Sequence, residues 1–169
     1  MKANQRNIVL TGFMGTGKTT TGKVLAERLN RPFIDTDAVI VQRAGKSIPE
    51  IFAQDGEGYF RYLEGLFCRF FAAQGDLIVS TGGGMLVNEG NLAVMQASGL
   101  VICLTASPAT IAERVGGETG RPLLKGDWET LYQQRQTAYG RIRHQVDTTG
   151  KETAQVVEEI MSLWQSELQ

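Results

Sequence analysis

Eight residues near the start, Gly12-Phe13-Met14-Gly15-Thr16-Gly17-Lys18-Thr19, fit the spacing G-x-x-x-x-G-K-[ST] without a mismatch. In that spacing the glycines let backbone N–H groups crowd around bound phosphate. Lys18 would reach the β- and γ-phosphates, and the Thr19 hydroxyl is suited to Mg²⁺. Gly15, Thr16, Gly17, Lys18, Thr19 and Thr20 are therefore candidate phosphate contacts. Ile8-Val9-Leu10 reads as a short buried strand before the octet. Thr20 to Leu29 reads as a helix after it, with Val24, Leu25 and Leu29 on one face. The octet thus falls at a strand-to-helix turn, where the positive end of a helix meets phosphate. A chance glycine turn would give no reason for Lys then Thr at a helix start. The spacing alone does not name a reaction, because kinases, switches and motors share it.

Three further clusters carry chemical potential. Asp35-Thr36-Asp37 follows a short strand, Pro32-Phe33-Ile34. One reading makes Asp37 or Thr36 the N-cap of a helix starting at Ala38. The other divides two tasks between the carboxylates: Asp35 orients water on Mg²⁺, and Asp37 accepts a hydrogen bond, and even a proton, from an attacking hydroxyl. The two readings are compatible. Gly82-Gly83-Gly84 comes after the apolar strand Leu77-Ile78-Val79. A plain connection needs one glycine, whereas three allow backbone amides to approach a substrate carboxylate or hydroxyl. Arg61 and Glu64 stand three apart on a helical pattern. They form either a simple surface pair or a clamp in which Glu64 fixes Arg61 for a substrate carboxylate. Phe52 and Phe60 are core residues or an apolar wall of that site. Finally, Arg121 lies in a polar, glycine-rich segment, 116–127, that reads as a mobile loop, with Arg114 before it and Arg135 in the helix after it. Such a loop can deliver positive charge to a transferring phosphate on closure.

The elements that must position these residues alternate between strand and helix, which implies a parallel sheet covered on both faces. Helices are expected over 38–43, from a capping box at Ser47-Ile48-Pro49-Glu50, and along Phe60, Leu63, Phe67, Phe70 and Phe71 towards Gly75. Others are expected at 91–97, at 108–115, over 128–139 and over 154–168, with strands at 100–104 and around Gln145-Val146. In such sheets ligands bind beyond the carboxyl ends of the strands, where all these clusters lie.

The length of 169 residues suits one domain, 1–169, and 42% apolar residues exclude a disordered chain. A net charge of −1 gives no global field for nucleic acid or an anionic membrane, so an anionic substrate must be met by placed arginines. Cys68 and Cys103 read as buried free thiols, and the single histidine, His144, excludes a multi-histidine metal site. No long apolar run opens the chain, so a cytoplasmic monomer is the expectation, without nucleic-acid or membrane partners.

Taken together, in this order and over nearly the whole chain, the clusters resemble the shikimate kinases. The resemblance rests on Gly12 to Thr19, Asp35-Thr36-Asp37, Ser47 to Phe52, Phe60-Arg61 with Glu64, Gly82-Gly83-Gly84, Arg121-Pro122-Leu123-Leu124, and Arg135 with Tyr139. It implies a three-layer α/β/α P-loop kinase fold like that of nucleoside monophosphate kinases, with a parallel sheet of about five strands. A substrate-binding segment would span about 37–61 and a lid about 116–127. It implies ATP- and Mg²⁺-dependent phosphorylation of the shikimate 3-hydroxyl, on the way to chorismate and the aromatic amino acids. Asp37, Arg61, Gly82, Gly83, Gly84, Arg135, Phe52 and Phe60 would meet shikimate. Asp37, Lys18 and Arg121 would be catalytic, Arg114 would lie against adenine, and Thr19 with Asp35 (through water) would serve the metal. Here Thr148-Thr149-Gly150-Lys151 stands where relatives often carry an arginine and a proline. A gluconate or nucleoside monophosphate kinase is the rival enzyme, against which the triple glycine and the aspartate pair argue. A non-catalytic nucleotide-binding protein is the rival from another class; the Asn-Lys-x-Asp segment of guanine-specific switches is absent.

Overall fold

Five strands, Asn7–Thr11 (β1), Phe33–Asp35 (β2), Ile78–Ser80 (β3), Gly99–Thr105 (β4) and His144–Asp147 (β5), pair in parallel in the order β2-β3-β1-β4-β5. The computed structural model describes residues 5–116 and 127–168. Eight helices connect and cover the strands among those residues: Lys18–Leu29 (α1), Thr36–Ala44 (α2), Ile48–Gln54 (α3), Glu57–Ala72 (α4), Glu89–Ser98 (α5), Pro108–Gly116 (α6), Trp128–Tyr139 (α7) and Thr153–Glu167 (α8). A short 3-10 turn, Met85–Val87, follows the triple glycine. None of the described helices is long and apolar enough to cross a membrane.

The period-2 alternation of the strands sorts the core into two layers. Ile8, Leu10, Ile78, Leu100, Ile102 and Leu104 face α1 and α8, where Leu25, Val157, Ile160 and Trp164 pack. Val9, Val79, Val101 and Cys103 face the opposite side, against Phe71, Leu92, Met95 and Ile111. Both cysteines are buried and free. A third, smaller cluster (Ile40, Ile51, Phe60 and Leu63) holds α2, α3 and α4 to one another.

Register decides what the sheet presents at its upper edge. Leu10 pairs with both Ser80 and Ile102, and Asp35 pairs with Ser80. The carboxyl ends of β2, β3 and β1 are therefore level. The residues that follow them, Thr36-Asp37, Thr81 to Gly84 and the octet, open onto one place.

Local signals set the helix ends. Ser47 and Glu50 form the expected capping box, with Ser47 N donating to Glu50 Oε2 at 2.7 Å. The cap of α2 is neither Asp37 nor Thr36 but Asp35, whose Oδ1 accepts from Asp37 N and Ala38 N at 3.1 and 3.2 Å. Its extended backbone makes it the last strand residue and the first helix cap together. α1 begins at Lys18, two residues before the expected start, because Gly17 takes a left-handed φ of 88° and closes the loop there. α5 starts at Glu89, behind an Asn88 cap. α4 stops at Ala72, and Phe70, periodic with its apolar face, is 56% exposed.

One buried side chain ties the sheet to α4. Asn7 Nδ2 donates to the carbonyls of Phe71 and Gln74 at 3.1 and 3.2 Å, and its Oδ1 accepts from Leu77 N at 3.0 Å. We expect Asn7→Ala to lower the unfolding free energy by about 3 kcal/mol, since buried polar groups lose their partners. Urea denaturation measures this; a loss under about 1 kcal/mol would show the anchor to be dispensable.

Candidate functional site

The cradle is built from what its glycines lack. Gly12, at φ 132°, lies against the Leu104 carbonyl of β4, leaving no room for a Cβ. The chain can therefore turn sharply off β1 under the cleft. Within the turn, Thr16 Oγ1 and Lys18 Nζ both donate to the Phe13 carbonyl at 2.8 Å. Arg114 of α6 braces it from behind. Its Nη1 donates to Gly15 O at 3.1 Å and to Thr148 Oγ1 at 2.9 Å, and its Nη2 donates to Thr148 O at 2.8 Å. Thr148, after β5, shares its hydroxyl proton between the carbonyls of Thr105 and Thr16, at 3.0 and 3.2 Å. Sequence reasoning passed over Thr148 as a departure from the family. Its fixed bonds are a long-range feature that no local pattern signals.

Across the cleft stand the two aspartates. Thr19 Oγ1 donates to Asp35 Oδ2 at 3.0 Å, which joins the octet to β2. Asp35 thus serves three groups: two amides of α2 and one hydroxyl of α1. Because it takes the cap, Asp37 is left to turn its carboxylate into the cleft. Asp37 Oδ1 is buried and without a hydrogen-bond partner among the described residues. An orphaned buried acceptor at a cleft wall is a place for a ligand's donor.

The three glycines after β3 each face a different one of the charged candidates. A Cβ on Gly82 would fall on Asp37 Oδ1. One on Gly83 would stand 2.9 Å from Arg135 Nη1, and one on Gly84 would stand 2.5 Å from Arg61 Nη1. The run therefore acts as a row of seats for Asp37, Arg135 and Arg61. The expected use of all three amides by a ligand is modified at Gly82, whose N–H already donates to Thr36 Oγ1 at 3.0 Å. Gly83 O accepts from the Tyr139 hydroxyl at 2.8 Å.

Each seated arginine has a second support. Arg61 Nη1 donates to Glu64 Oε2 at 2.8 Å; Glu64 is only 2% exposed, so the anchor is fixed. Arg135 lies 5.7 Å over the ring of Phe13, which Tyr132 meets edge-on at 5.3 Å. Phe13 occupies a free position of the octet spacing and so gave no signal in sequence. Phe52 and Phe60 meet at 5.0 Å, with Phe60 buried in the small cluster and Phe52 38% exposed at the cleft mouth. Phe60 is thus core and wall together. Asp35, Asp37, Arg61, Arg114, Arg135 and the residues from Gly15 to Thr20 line one cleft of about 1010 Å³. Arg121, and residues 117–126 of the expected lid, lie outside the described residues.

The charges perturb one another as a group. Burial pushes the Lys18 ammonium down to about 8, although Asp37 and Asp35 pull the other way and Arg135 adds to the fall. Burial and the neighbouring Asp35 raise Asp37 above the usual carboxylate range, against the opposing pull of Lys18, Arg61 and Arg135. Burial raises Glu64 against the pull of Arg61, and lifts the Tyr139 phenol to about 12.

A parallel sheet of this order, with a phosphate cradle after its central strand, is the P-loop kinase fold. The family model described as "Shikimate kinase" matches residues 14–165. A shikimate kinase of Pelotomaculum thermopropionicum is 45% identical over 161 residues, covering 92% of this chain and 94% of its own. One from Geobacter sulfurreducens is 46% identical over 160 residues, covering 92% and 88%. A solved shikimate kinase from Acinetobacter baumannii, in complex with shikimate, superposes with a TM-score of 0.89 at 30% identity, covering 97% of this chain and 95% of that one. A gluconokinase from Sinorhizobium meliloti shares the fold alone, with a TM-score of 0.62 at 19% identity, covering 96% and 93%. The chain belongs to the shikimate kinase family.

Two outcomes are expected from this geometry. Gly84→Ala displaces the Arg61 fork and raises the KM for shikimate by about tenfold, the scale of one charge-assisted hydrogen bond. The KM for ATP stays unchanged, and steady-state kinetics with each substrate varied read both. Lys18 supplies the second. Its value near 8 sets an alkaline limb, so the KM for ATP rises above about pH 8 as the ammonium is lost. The folded value lies below the ordinary 10.5, so the unfolded chain binds more protons between about pH 8 and 10.5. Stability contributed by this group accordingly increases with pH across that window while nucleotide affinity declines. A KM for ATP that is flat to pH 9.5 would detach Lys18 from the phosphates.

Proposed function

We propose that this protein transfers the γ-phosphoryl group of ATP to the 3-hydroxyl of shikimate, in the route to chorismate and the aromatic amino acids. A bond forms between that oxygen and Pγ, the bond from Pγ to the β-phosphate oxygen breaks, and the hydroxyl proton is released. The observation that carries the reading is the seating of Asp37, Arg135 and Arg61, one on each of three consecutive glycines, beside the phosphate cradle.

The chain's own residues divide the work. Arg61 and Arg135 hold the substrate carboxylate by charge-assisted hydrogen bonds. Phe60 and Phe52 form an apolar wall for the ring. Asp37 accepts the hydrogen bond of the attacking hydroxyl and takes its proton; a carboxylate raised by burial is better matched to that task near neutral pH. The amides of Gly15 to Thr20 and the Lys18 ammonium bind the β- and γ-phosphates as negative charge spreads over them. Arg114 sits between cradle and Thr148, at the adenine end. Arg121 takes its part in transfer from the family resemblance.

Thr19 and Asp35 offer hard oxygen donors 3.0 Å apart at the cradle mouth, which fits a Mg²⁺ that keeps most of its waters and binds largely through phosphate. Bound there, the ion would offset phosphate charge. A cytoplasmic monomer completes the reading, and the net charge of −1 supports a protein without nucleic-acid or membrane partners.

A coupled assay of ADP release with MgATP and shikimate, gluconate or a nucleoside monophosphate tests the proposal. Release with shikimate alone is expected; release with only the other acceptors would overturn it. In the same assay Asp37→Asn should lower kcat by about two orders of magnitude or more, the range of a lost general base. Its thermal midpoint should not fall, because a neutral amide removes the cost of burying an ionised carboxylate. Unchanged turnover would take Asp37 out of the reaction.

A further inference from the structure

The Arg61 guanidinium is covered on two sides. Nη1 is bound to Glu64, which is buried and cannot leave without orphaning a carboxylate. The Nε–Nη2 edge, the fork that matches a carboxylate best, is taken by Glu57. Nε and Nη2 both donate to Glu57 Oε1, at 3.1 and 2.9 Å. Glu57 differs from Glu64 in one decisive respect: its side chain is 64% exposed, against 2%. It stands in the first turn of α4, where the cap is Gly56, and its carboxylate is spent on Arg61. Glu57 and Glu64 offset the positive charge of Arg61 and of the nearby Arg135, so little net positive charge is left in this corner to draw an anionic substrate.

We infer that Glu57 is a resident competitor for the substrate carboxylate: it occupies the Arg61 fork and must swing into water before the substrate binds. The inference rests on the reading of Arg61 as a shikimate contact. The exchange is cheap because an exposed carboxylate is fully solvated once released. The competent fraction of the free enzyme is reduced by the time Glu57 spends on the fork, and the apparent affinity for substrate falls by that fraction. Glu57 is thus a positioning residue that does not touch the reacting atoms, and it lowers the affinity of every carboxylate that needs the Arg61 fork by the same factor.

Glu57→Gln and Glu57→Ala, assayed for ADP release with shikimate varied at saturating MgATP, test the inference. Both should lower the KM for shikimate by about two- to fivefold, the range expected from removing an exposed ion pair. The change should be larger in KM than in kcat, and titration calorimetry with shikimate alone should show the same gain. A role in merely holding Arg61 in place gives the opposite sign. A KM that is unchanged or higher in both variants overturns the inference. A wild-type protein that fails to phosphorylate shikimate overturns the functional reading instead, so the two failures are distinguishable.

Discussion

Charged groups of both signs can share one cleft at this density only if the backbone beneath them stands aside. Here that condition is met by the missing Cβ atoms of Gly82, Gly83 and Gly84, each of which leaves space for one of Asp37, Arg135 and Arg61. Burial alone would neutralise such groups, and its effect is visible in the depressed Lys18 and the raised Asp37. Their mutual attraction opposes that tendency and keeps the cluster poised. The site is therefore costly to fold and ready for ligand at the same time, which is the arrangement expected where strain and function coincide.

Much of this was readable from residue order. The octet, the alternation of elements and the capping box at Ser47 are local patterns, and each declared its own element. Asp37 and Arg61 stand out by type and spacing, Arg135 only through the family resemblance, and the fold brings all three to one cleft. What escaped was relational. That Asp35 and not Asp37 caps α2 depends on the direction of the chain leaving β2, which spacing does not encode. The reading of the triple glycine as an anion-binding backbone missed its side-chain neighbours, since those come from α2, α4 and α7. Thr148 and Phe13 act across the cleft, through partners 43 and 132 residues away for the one and through Arg135 for the other.

The brace between Arg114, Gly15 and Thr148 gives one side of the cleft a different character from the other. On the Arg114 side, one guanidinium makes three bonds to main-chain and hydroxyl oxygens, all neutral partners. On the opposite side, Arg61 is held by carboxylates. Neutral bonds to the backbone fix geometry without opposing an incoming phosphate, whereas carboxylate bonds can be exchanged for those of a similar anion. The two arginines are thus matched to two kinds of duty, one architectural and one responsive.

The small cluster of Ile40, Ile51, Phe60 and Leu63 packs apart from the two layers on the sheet, with Phe67 touching both it and the larger core. Val39 of α2 and Cys68 and Phe71 of α4 pack on the larger core as well, so the small cluster is an outgrowth of it and not a free body. Its four interior side chains are nonetheless distinct from those of the sheet layers, so the lining that Phe60 gives the cleft can be altered without touching the packing beneath the glycine cradle.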